Sequence, residues 1–346
     1  MSNSDTTVRF GLVGFGAWGQ FHAKCIAGAD GAELAAIAVR SAESQAKAKA
    51  AYPNAVVVGD YQELVALELD IVDVVLPSHI HFEVASAVLD AGKHLLLEKP
   101  MCLNIADCRA LVEKAEAGGR LLSIMHELRL SSMWGEMKRL IESGEIGEPQ
   151  YLMMELSRHP YRTGSGGWRY NIDQVGSWIL EEPIHFFDLA RWYFGGVGDP
   201  VRVFATAMAR DPERPELQDN FTATMHFPNE GFAVICQTLC AFEHHQSMKI
   251  SGTNGALWAR WSGAQDRTEH PEFSLKVFDG ETVRDATPEK ITGEIFELQD
   301  HMAMLVAAVR DGGPLTSTGV DGMWSVAMCL AAEASIKSGV SEAIEL

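Results

Sequence analysis

From Val8 to about Glu127 the chain alternates short apolar runs with stretches whose apolar residues recur three and four positions apart, and few folds accommodate that alternation. Val8–Gly14, Glu33–Val39, Ile71–Pro77, His94–Glu98 and Leu121–Met125 are rich in Val, Ile and Leu and predict buried strands. Between them Ala17–Ala29, Ser41–Tyr52, Ile80–Ala91 and Asn104–Ala117 predict helices, with weaker elements near Ala55–Leu67. Near-continuous apolar strands separated by amphipathic helices imply a parallel sheet covered on both faces, a doubly wound α/β domain of the Rossmann kind. We place it at residues 1–127.

Beyond Leu130–Ser143, which predicts a helix ended by Gly144, the pattern changes. Tyr151–Leu156, Arg202–Ala209, Asn220–Phe227, Phe232–Phe242, Met248–Ser251, Leu257–Trp261 and Phe273–Phe278 predict strands without long helices between them. Turns such as Asn229-Glu230-Gly231 join consecutive strands, so the expectation is a large, mostly antiparallel open sheet. Helices return at Phe187–Tyr193, Ile295–Arg310 and Gly322–Lys337. Residues 128–346 are therefore expected to form an α+β domain that shares an interface and a cleft with the first.

A chain of 346 residues suits two domains of ordinary size, and 47% hydrophobic with 22% charged residues suits packed cores throughout. The net charge of −19, from 28 basic and 47 acidic residues, argues against nucleic acid and against an anionic membrane surface. No apolar run is long enough to span a bilayer. Met1–Thr7 is polar, with no secretory signal, so a cytoplasmic protein is expected. The six scattered cysteines are expected to be reduced thiols in apolar runs. Cys236 and Cys240 lie in a strand-like run rather than a zinc knuckle, and His244-His245 would point to opposite faces of a strand, so no metal site is expected.

The first strand runs into Gly14-Phe15-Gly16-Ala17-Trp18-Gly19, and a helix follows. A glycine pattern of this kind is weak alone, but between a strand and a helix it predicts a dinucleotide site. Gly14 permits the tight turn, Gly16 lets the backbone approach a pyrophosphate, and Gly19 lets helix and strand pack closely. Phe15, Ala17 and Trp18 complete the loop, and the helix N-terminus offers free N–H groups to phosphate. About twenty residues further on, where a carboxylate would bind the ribose hydroxyls of NAD, stand Val39-Arg40-Ser41. Arg40 and Ser41 could bind a 2′-phosphate, favouring NADP(H) over NAD(H); alternatively Ser41 caps the next helix and Arg40 is solvated or stacks on adenine.

The glycine loop, Pro77-Ser78-His79-Ile80-His81, and Gly92-Lys93-His94 leading to Glu98-Lys99-Pro100 together resemble the Gfo/Idh/MocA family, which includes glucose–fructose oxidoreductase and inositol dehydrogenase. Further matches are His126-Glu127-Leu128-Arg129, Gly144-Glu145-Ile146-Gly147, Gly176–Asp188, Gly252-Thr253-Asn254-Gly255 and the helix in Gly319–Ser335, so the resemblance covers essentially the whole chain. It implies that Lys99 lies beside the nicotinamide and the reacting carbon, with Glu98, Pro77 and His81 near the cofactor. From the residues alone, a lysine at the C-terminal end of a parallel strand sits where doubly wound sheets bind ligands, and its ammonium can polarise an oxygen.

The family's second signature, a carboxylate followed four later by histidine and three beyond by aspartate, is similar to Glu181, His185 and Asp188. It implies His185 as general acid–base, an imidazole titrating near neutrality, with Glu181 orienting it, binding substrate hydroxyls, or both. The usual residue at position 181 is aspartate, so Glu181 departs from the pattern, and Pro183 argues against a regular helix before it. Trp168 and Arg169, after the Gly164–Gly167 loop, suit a sugar and are implied near cofactor and substrate; Arg129, Trp178 and His159 are further candidates.

The implied activity is hydride transfer between nicotinamide and a carbinol or carbonyl carbon of a sugar, sugar derivative or cyclitol. The alternatives are an internal-redox (oxidation–elimination) lyase or glycosidase with tightly held cofactor, and a non-catalytic dinucleotide sensor. The second sheet is expected to pair with another subunit, giving a homodimer or homotetramer.

Overall fold

The computed structural model describes residues 7–346, which fall into two compact units, residues 7–125 with 298–323, and 126–297 with 324–346. The first contains a six-stranded, wholly parallel sheet of β1 (Val8–Val13), β2 (Ala32–Ala38), β3 (Val56–Val58), β4 (Ile71–Val74), β5 (His94–Leu97) and β6 (Leu122–Ile124), in the order β3-β2-β1-β4-β5-β6. Apart from the edge strand β3, the strands are buried almost residue by residue, β4 and β6 completely, which is the signature of a sheet covered on both faces. Helices α1 (Ala17–Gly28), α2 (Ala42–Ala51), α3 (Tyr61–Val65), α4 (His81–Asp90) and α5 (Ile105–Gly118) form the crossovers. The strand order reverses between β1 and β4, and at such a switch point the carboxyl ends of the strands leave a crevice for ligands.

The second unit begins with a 3-10 turn, Glu127–Leu130, and helix α6 (Trp134–Glu142). The helix predicted from Leu130 therefore starts later, because the Ser131 hydroxyl accepts the N–H groups of Met133 (3.1 Å) and Trp134 (3.1 Å) and stops the chain from running straight on. A long strand β7 (Pro149–Arg158), a short helix α7 (Ile172–Val175) and helix α8 (Pro183–Tyr193) come next. Pro183 occupies the first turn of α8, where its missing N–H costs nothing, so the helix begins four residues before the predicted Phe187.

Strands β8 (Arg202–Met208), β9 (Asn220–His226), β10 (Phe232–Thr238), β11 (His244–Gly252), β12 (Ala256–Gly263), β13 (Glu272–Phe278), β14 (Val283–Asp285) and β15 (Glu342–Ala343) join β7 in a nine-stranded sheet. Its order is β14-β13-β12-β11-β7-β10-β9-β8-β15, antiparallel throughout except for β7 against β10. Along β9 and β10 buried and half-buried residues alternate, so one face is core and the other is not. On β11, His244 is buried and His245 half-buried, on opposite faces.

Helix α9 (Glu294–Asp311) and helix α10 (Gly319–Ser338) complete the chain. Although α9 follows the second sheet in sequence, Leu298, Met302, Leu305 and Val306 pack into the first unit's core with Val8, Phe10, Leu34 and Ile37. Its apolar stripe is buried there, and residues 298–323 accordingly belong to the first unit. No helix among the described residues is long and apolar enough to cross a membrane, and no group of three or more His, Cys, Asp or Glu side chains among them is arranged to hold a metal ion.

Candidate active site

In the first unit the glycine loop joins β1 to α1. Gly14 has φ of +102°, and a side chain there would meet the Val75 carbonyl oxygen at 2.1 Å. A Cβ at Gly19 would lie 2.3 Å from the Gly14 carbonyl oxygen, so the helix can sit this close to the strand only with glycine. Gly16 differs: it is exposed, and a Cβ there would meet nothing within 4 Å. Gly16 also N-caps α1 without a side-chain hydrogen bond, and no acidic residue lies in the first turn. The N–H groups and positive end of the helix dipole therefore lie beside an open flank at Gly16, with no acidic side chain from the helix's own first turn, which fits a dinucleotide pyrophosphate. Phe15 turns inward and meets Tyr52 edge-on, while Ala17 is exposed.

Beneath the loop lies a cluster that the sequence did not announce. The ring of His22, on α1, is fully buried; Nδ1 donates to Asp73 Oδ2 at 2.7 Å and Nε2 to Glu98 Oε1 at 3.1 Å. Trp18 Nε1 donates to the same Glu98 oxygen at 2.6 Å, and the Lys99 backbone N–H donates to Oε2 at 3.2 Å. Glu98 thus ties the glycine loop to the segment that carries Lys99, which is half-buried and precedes Pro100 through a cis peptide bond.

Burial alone would push the His22 imidazole down, but Asp73 and Glu98 outweigh it and raise it to about 10. Burial would likewise raise Glu98, yet His22, Lys99 and Trp18 hold it down at about 2. Asp73 is pushed up by burial and by the Glu98 charge, against the pull of His22. Because both ring nitrogens face carboxylate oxygens, an imidazolium is the state that satisfies the geometry.

Four more expected cofactor residues lie in this unit. Pro77 precedes a 3-10 turn, Ser78–Ile80. His81 is fully buried, with Nδ1 2.8 Å from the Pro100 carbonyl oxygen and Nε2 2.9 Å from that of Leu76, so its ring braces two loops instead of presenting a nitrogen to a ligand. Arg40 is exposed. Ser41 caps α2, its hydroxyl accepting from the Ser44 N–H at 3.1 Å.

The second unit holds the other cluster, around α8. Glu181 lies in the turn before the helix, whereas His185 and Asp188 share one helical face; all three are buried. Arg129 grips Asp188 with two charge-assisted hydrogen bonds, Nε to Oδ2 at 2.8 Å and Nη2 to Oδ1 at 2.7 Å, and its guanidinium lies 5.4 Å from the Trp192 ring centre. Arg169 donates through Nε to Glu181, and Arg158 donates to Glu182, which also faces His244 Nε2 at 3.3 Å. Glu127 Oε1 lies 3.6 Å from His185 Nε2, and the His126 ring meets the His185 ring edge-on at 5.6 Å.

The aromatic candidates divide. Trp178 is core, donating from Nε1 to the Arg169 carbonyl oxygen at 2.9 Å and packing edge-on against Tyr161 and Tyr170. Trp168 is half-buried with the Arg169 guanidinium 4.7 Å from its ring centre. His159 is exposed, and its Nε2 accepts the Glu243 backbone N–H at 2.9 Å, so it staples two loops. Sequence reasoning missed His22, Asp73 and Glu127 as members of these clusters. The one signal for Asp73 was a charge inside an apolar strand, which requires a partner without naming it.

Comparison with known proteins agrees with this architecture. A family model described as "Oxidoreductase family, NAD-binding Rossmann fold" matches residues 8–126, and one described as "GFO/IDH/MocA C-terminal domain" matches residues 134–258. The chain is 27% identical over 313 residues to the uncharacterized oxidoreductase YdgJ of Escherichia coli, covering 88% of each protein. It is 25% identical over 356 residues to the scyllo-inositol 2-dehydrogenase (NADP(+)) IolW of Bacillus subtilis, covering 96% of this chain and 94% of that protein. Among solved structures, the aldose-aldose oxidoreductase from Caulobacter crescentus, complexed with glycerol, superposes with a TM-score of 0.83 at 20% identity, covering 97% of this chain and 99% of that one.

Proposed function

This chain belongs to the Gfo/Idh/MocA family of NAD-binding oxidoreductases, and from that premise we propose that it transfers a hydride between nicotinamide and a carbinol or carbonyl carbon of a sugar, sugar derivative or cyclitol. The observation that carries the substrate class is His185, a buried imidazole set among Glu127, Glu181, Glu182 and Asp188 with Arg129, Arg158 and Arg169. Arg129, Arg158 and Arg169 here pair with Asp188, Glu182 and Glu181, and such charged groups can exchange partners with the hydroxyls of a polyhydroxylated molecule. The names of the relatives, an inositol dehydrogenase and an aldose oxidoreductase, point the same way.

The dinucleotide supplies the hydride donor or acceptor when bound; the chain's own residues handle the proton and the charge. In the oxidative direction His185 takes the hydroxyl proton, Lys99 stabilises the negative charge growing on that oxygen, and Glu181 with Arg169 binds neighbouring hydroxyls. NADP(H) is favoured over NAD(H), since no carboxylate stands at Val39-Arg40-Ser41 and Arg40 is exposed there. Phe204, Met208 and Trp258, 45%, 57% and 57% exposed, lie on the second sheet and support a homodimer or homotetramer through it.

The test is to record the absorbance of the purified protein for bound cofactor, titrate NADPH and NADH by fluorescence, and assay sugars and cyclitols with the tighter binder. Exchangeable binding, with turnover abolished in Lys99→Ala while binding persists, is the expected result. Cofactor that binds but never exchanges would favour the internal-redox lyase instead, and failure to bind either dinucleotide would overturn the reading.

A further inference from the structure

His244 stands on the buried face of β11, its side chain 2% exposed, and its two ring nitrogens are treated unequally. Nε2 meets the Gln246 side-chain amide at 3.0 Å and Glu182 Oε1 at 3.3 Å. Nδ1 is buried and has no hydrogen-bond partner among the described residues. An unpaired nitrogen in the interior is costly, and folded proteins bring a partner, a side chain or an ordered water, to nearly all such groups.

The same ring lines a small cavity, together with Gln246, Trp261, Asp266, Thr292 and Glu294. The cavity leaves about 10 Å³ for the centre of a water molecule, roughly what a single water needs and too little for an organic ligand. Trp261 closes one side: its ring meets the imidazole edge-on at 5.4 Å, and its Nε1 donates to the Thr292 carbonyl oxygen at 2.9 Å. Besides the imidazole, the lining residues carry the Asp266 carboxylate, the Gln246 amide and the Thr292 carbonyl, each with capacity for more than one hydrogen bond. The surrounding charges favour a neutral guest. Asp266 faces Arg162 at 3.1 Å and Arg158 at 3.5 Å, and Arg158 also holds Glu182. The imidazole stays neutral at pH 7, because burial holds it below its usual range against the pull of Glu182. With its one proton on Nε2, a neutral ring needs a donor at Nδ1; with the proton on Nδ1, it needs an acceptor there. Water is both.

We propose that this cavity is a binding site for one water molecule, bonded to His244 Nδ1 and bridging β11 to the Asp266 loop and to the Thr292–Glu294 segment that leads into α9. The water completes a buried network in which Arg158 and His244 both contact Glu182, in the turn that opens α8. Held at both nitrogens, the ring keeps one orientation against Glu182. The site stands apart from the reading of His185 as the base, so neither depends on the other.

The experiment is a crystal structure of the full chain at a resolution that shows ordered water, repeated for His244→Asn and His244→Gln. In the wild type one peak is expected in the cavity, about 2.7–3.2 Å from Nδ1, with at least one further polar neighbour at the same range. His244→Asn sets a polar atom near the place of Nδ1 and should keep the peak. His244→Gln sets its amide near the place of Nε2 and should lose it. Three results in the wild type overturn the proposal: a cavity without density, a protein atom bonded to Nδ1 in place of water, or a peak with contacts of about 2.0–2.6 Å, which mark a metal ion. A peak as strong in His244→Gln as in the wild type overturns it as well, since the imidazole nitrogen would then not be what holds the water. If a variant does not fold, the wild-type map decides alone.

Discussion

Replacing His22 by leucine removes the one positive charge that the buried triad places between Asp73 and Glu98. The rise of the imidazole from 6.5 to about 10 corresponds, at about 1.36 kcal/mol per unit, to roughly 5 kcal/mol of stabilisation. The burial cost carried by Asp73, itself pushed upward, offsets part of that. Breaking one partner out of a buried ion pair costs about 3–5 kcal/mol in general, and we expect His22→Leu to fall in that range at neutral pH. The folded protein keeps this proton to about pH 10, whereas the unfolded chain releases it near 6.5. The contribution is therefore complete below 6.5 and is lost as pH rises through about 10. Urea unfolding of the wild type and His22→Leu near neutrality, repeated above pH 10, measures both the size and the window. The double variant His22→Leu/Asp73→Leu, which leaves only Glu98 to be satisfied, should lose less than the sum of its parts. Equal stability of wild type and His22→Leu at neutral pH, or a difference that persists unchanged above pH 10, would refute the reasoning.

Gly16→Ala places a methyl in open space at an allowed backbone conformation (φ −70°, ψ −168°), so stability should change by less than about 1 kcal/mol while dinucleotide affinity, read by NADPH fluorescence titration, drops. Gly19→Ala, whose methyl would lie 2.3 Å from the Gly14 carbonyl oxygen, should instead lower stability by about 1–3 kcal/mol or more in a thermal melt and weaken dinucleotide binding with it. Burial raises the Glu297 carboxyl from 4.5 to about 7, against the hydrogen bonds from Thr292 and Gly293, so stability should fall as pH rises from 4.5 through 7. Glu297→Gln should remove that slope and be the more stable protein by about 1–3 kcal/mol at pH 8, with urea midpoints across this range as the check. Arg129→Met strands the buried Asp188 carboxylate and should cost about 3–5 kcal/mol, partly recovered in Arg129→Met/Asp188→Leu, as denaturation curves of the wild type and the two variants will tell.

What was legible in the sequence is what local pattern determines. The apolar runs gave β1, β2, β4, β5 and β6 to within a few residues, because a strand buried on both faces has few polar positions to blur its limits, whereas β3, which buries none of its three residues, fell among the weaker elements near Ala55–Leu67. Gly14 has a positive φ, Gly19 a close packing contact and Gly16 nothing within 4 Å of an added Cβ, local geometry that the spacing of the three glycines made legible. Where local pattern was silent, contacts distant in sequence decided the outcome. The stripe on α9 predicts a helix but carries no mark of the partner it packs on, and Leu298, Met302 and Leu305 find theirs in the first unit, nearly three hundred residues back from β1.

The candidate site divides along the same line. The glycine loop stands out by residue type and setting, and Lys99 and His185 through the family resemblance, whereas Glu127, His22 and Asp73 acquire meaning only through a neighbour. Asp73 sits in a strand with Ile71, Val72 and Val74, all fully buried, and a carboxylate there is tolerable only beside a positive charge. His22, 51 positions away, supplies it, and by the same bond fixes Glu98 as the acceptor for Trp18 and for the Lys99 N–H. A charge pair that reads as a stability device in one strand is therefore also the connection between the glycine loop and the segment that carries Lys99. Loss of His22 should accordingly reach dinucleotide affinity as well as stability. A His22→Leu protein that is destabilised yet binds NADPH as tightly as the wild type would show that the triad holds the sheet together without holding the loop.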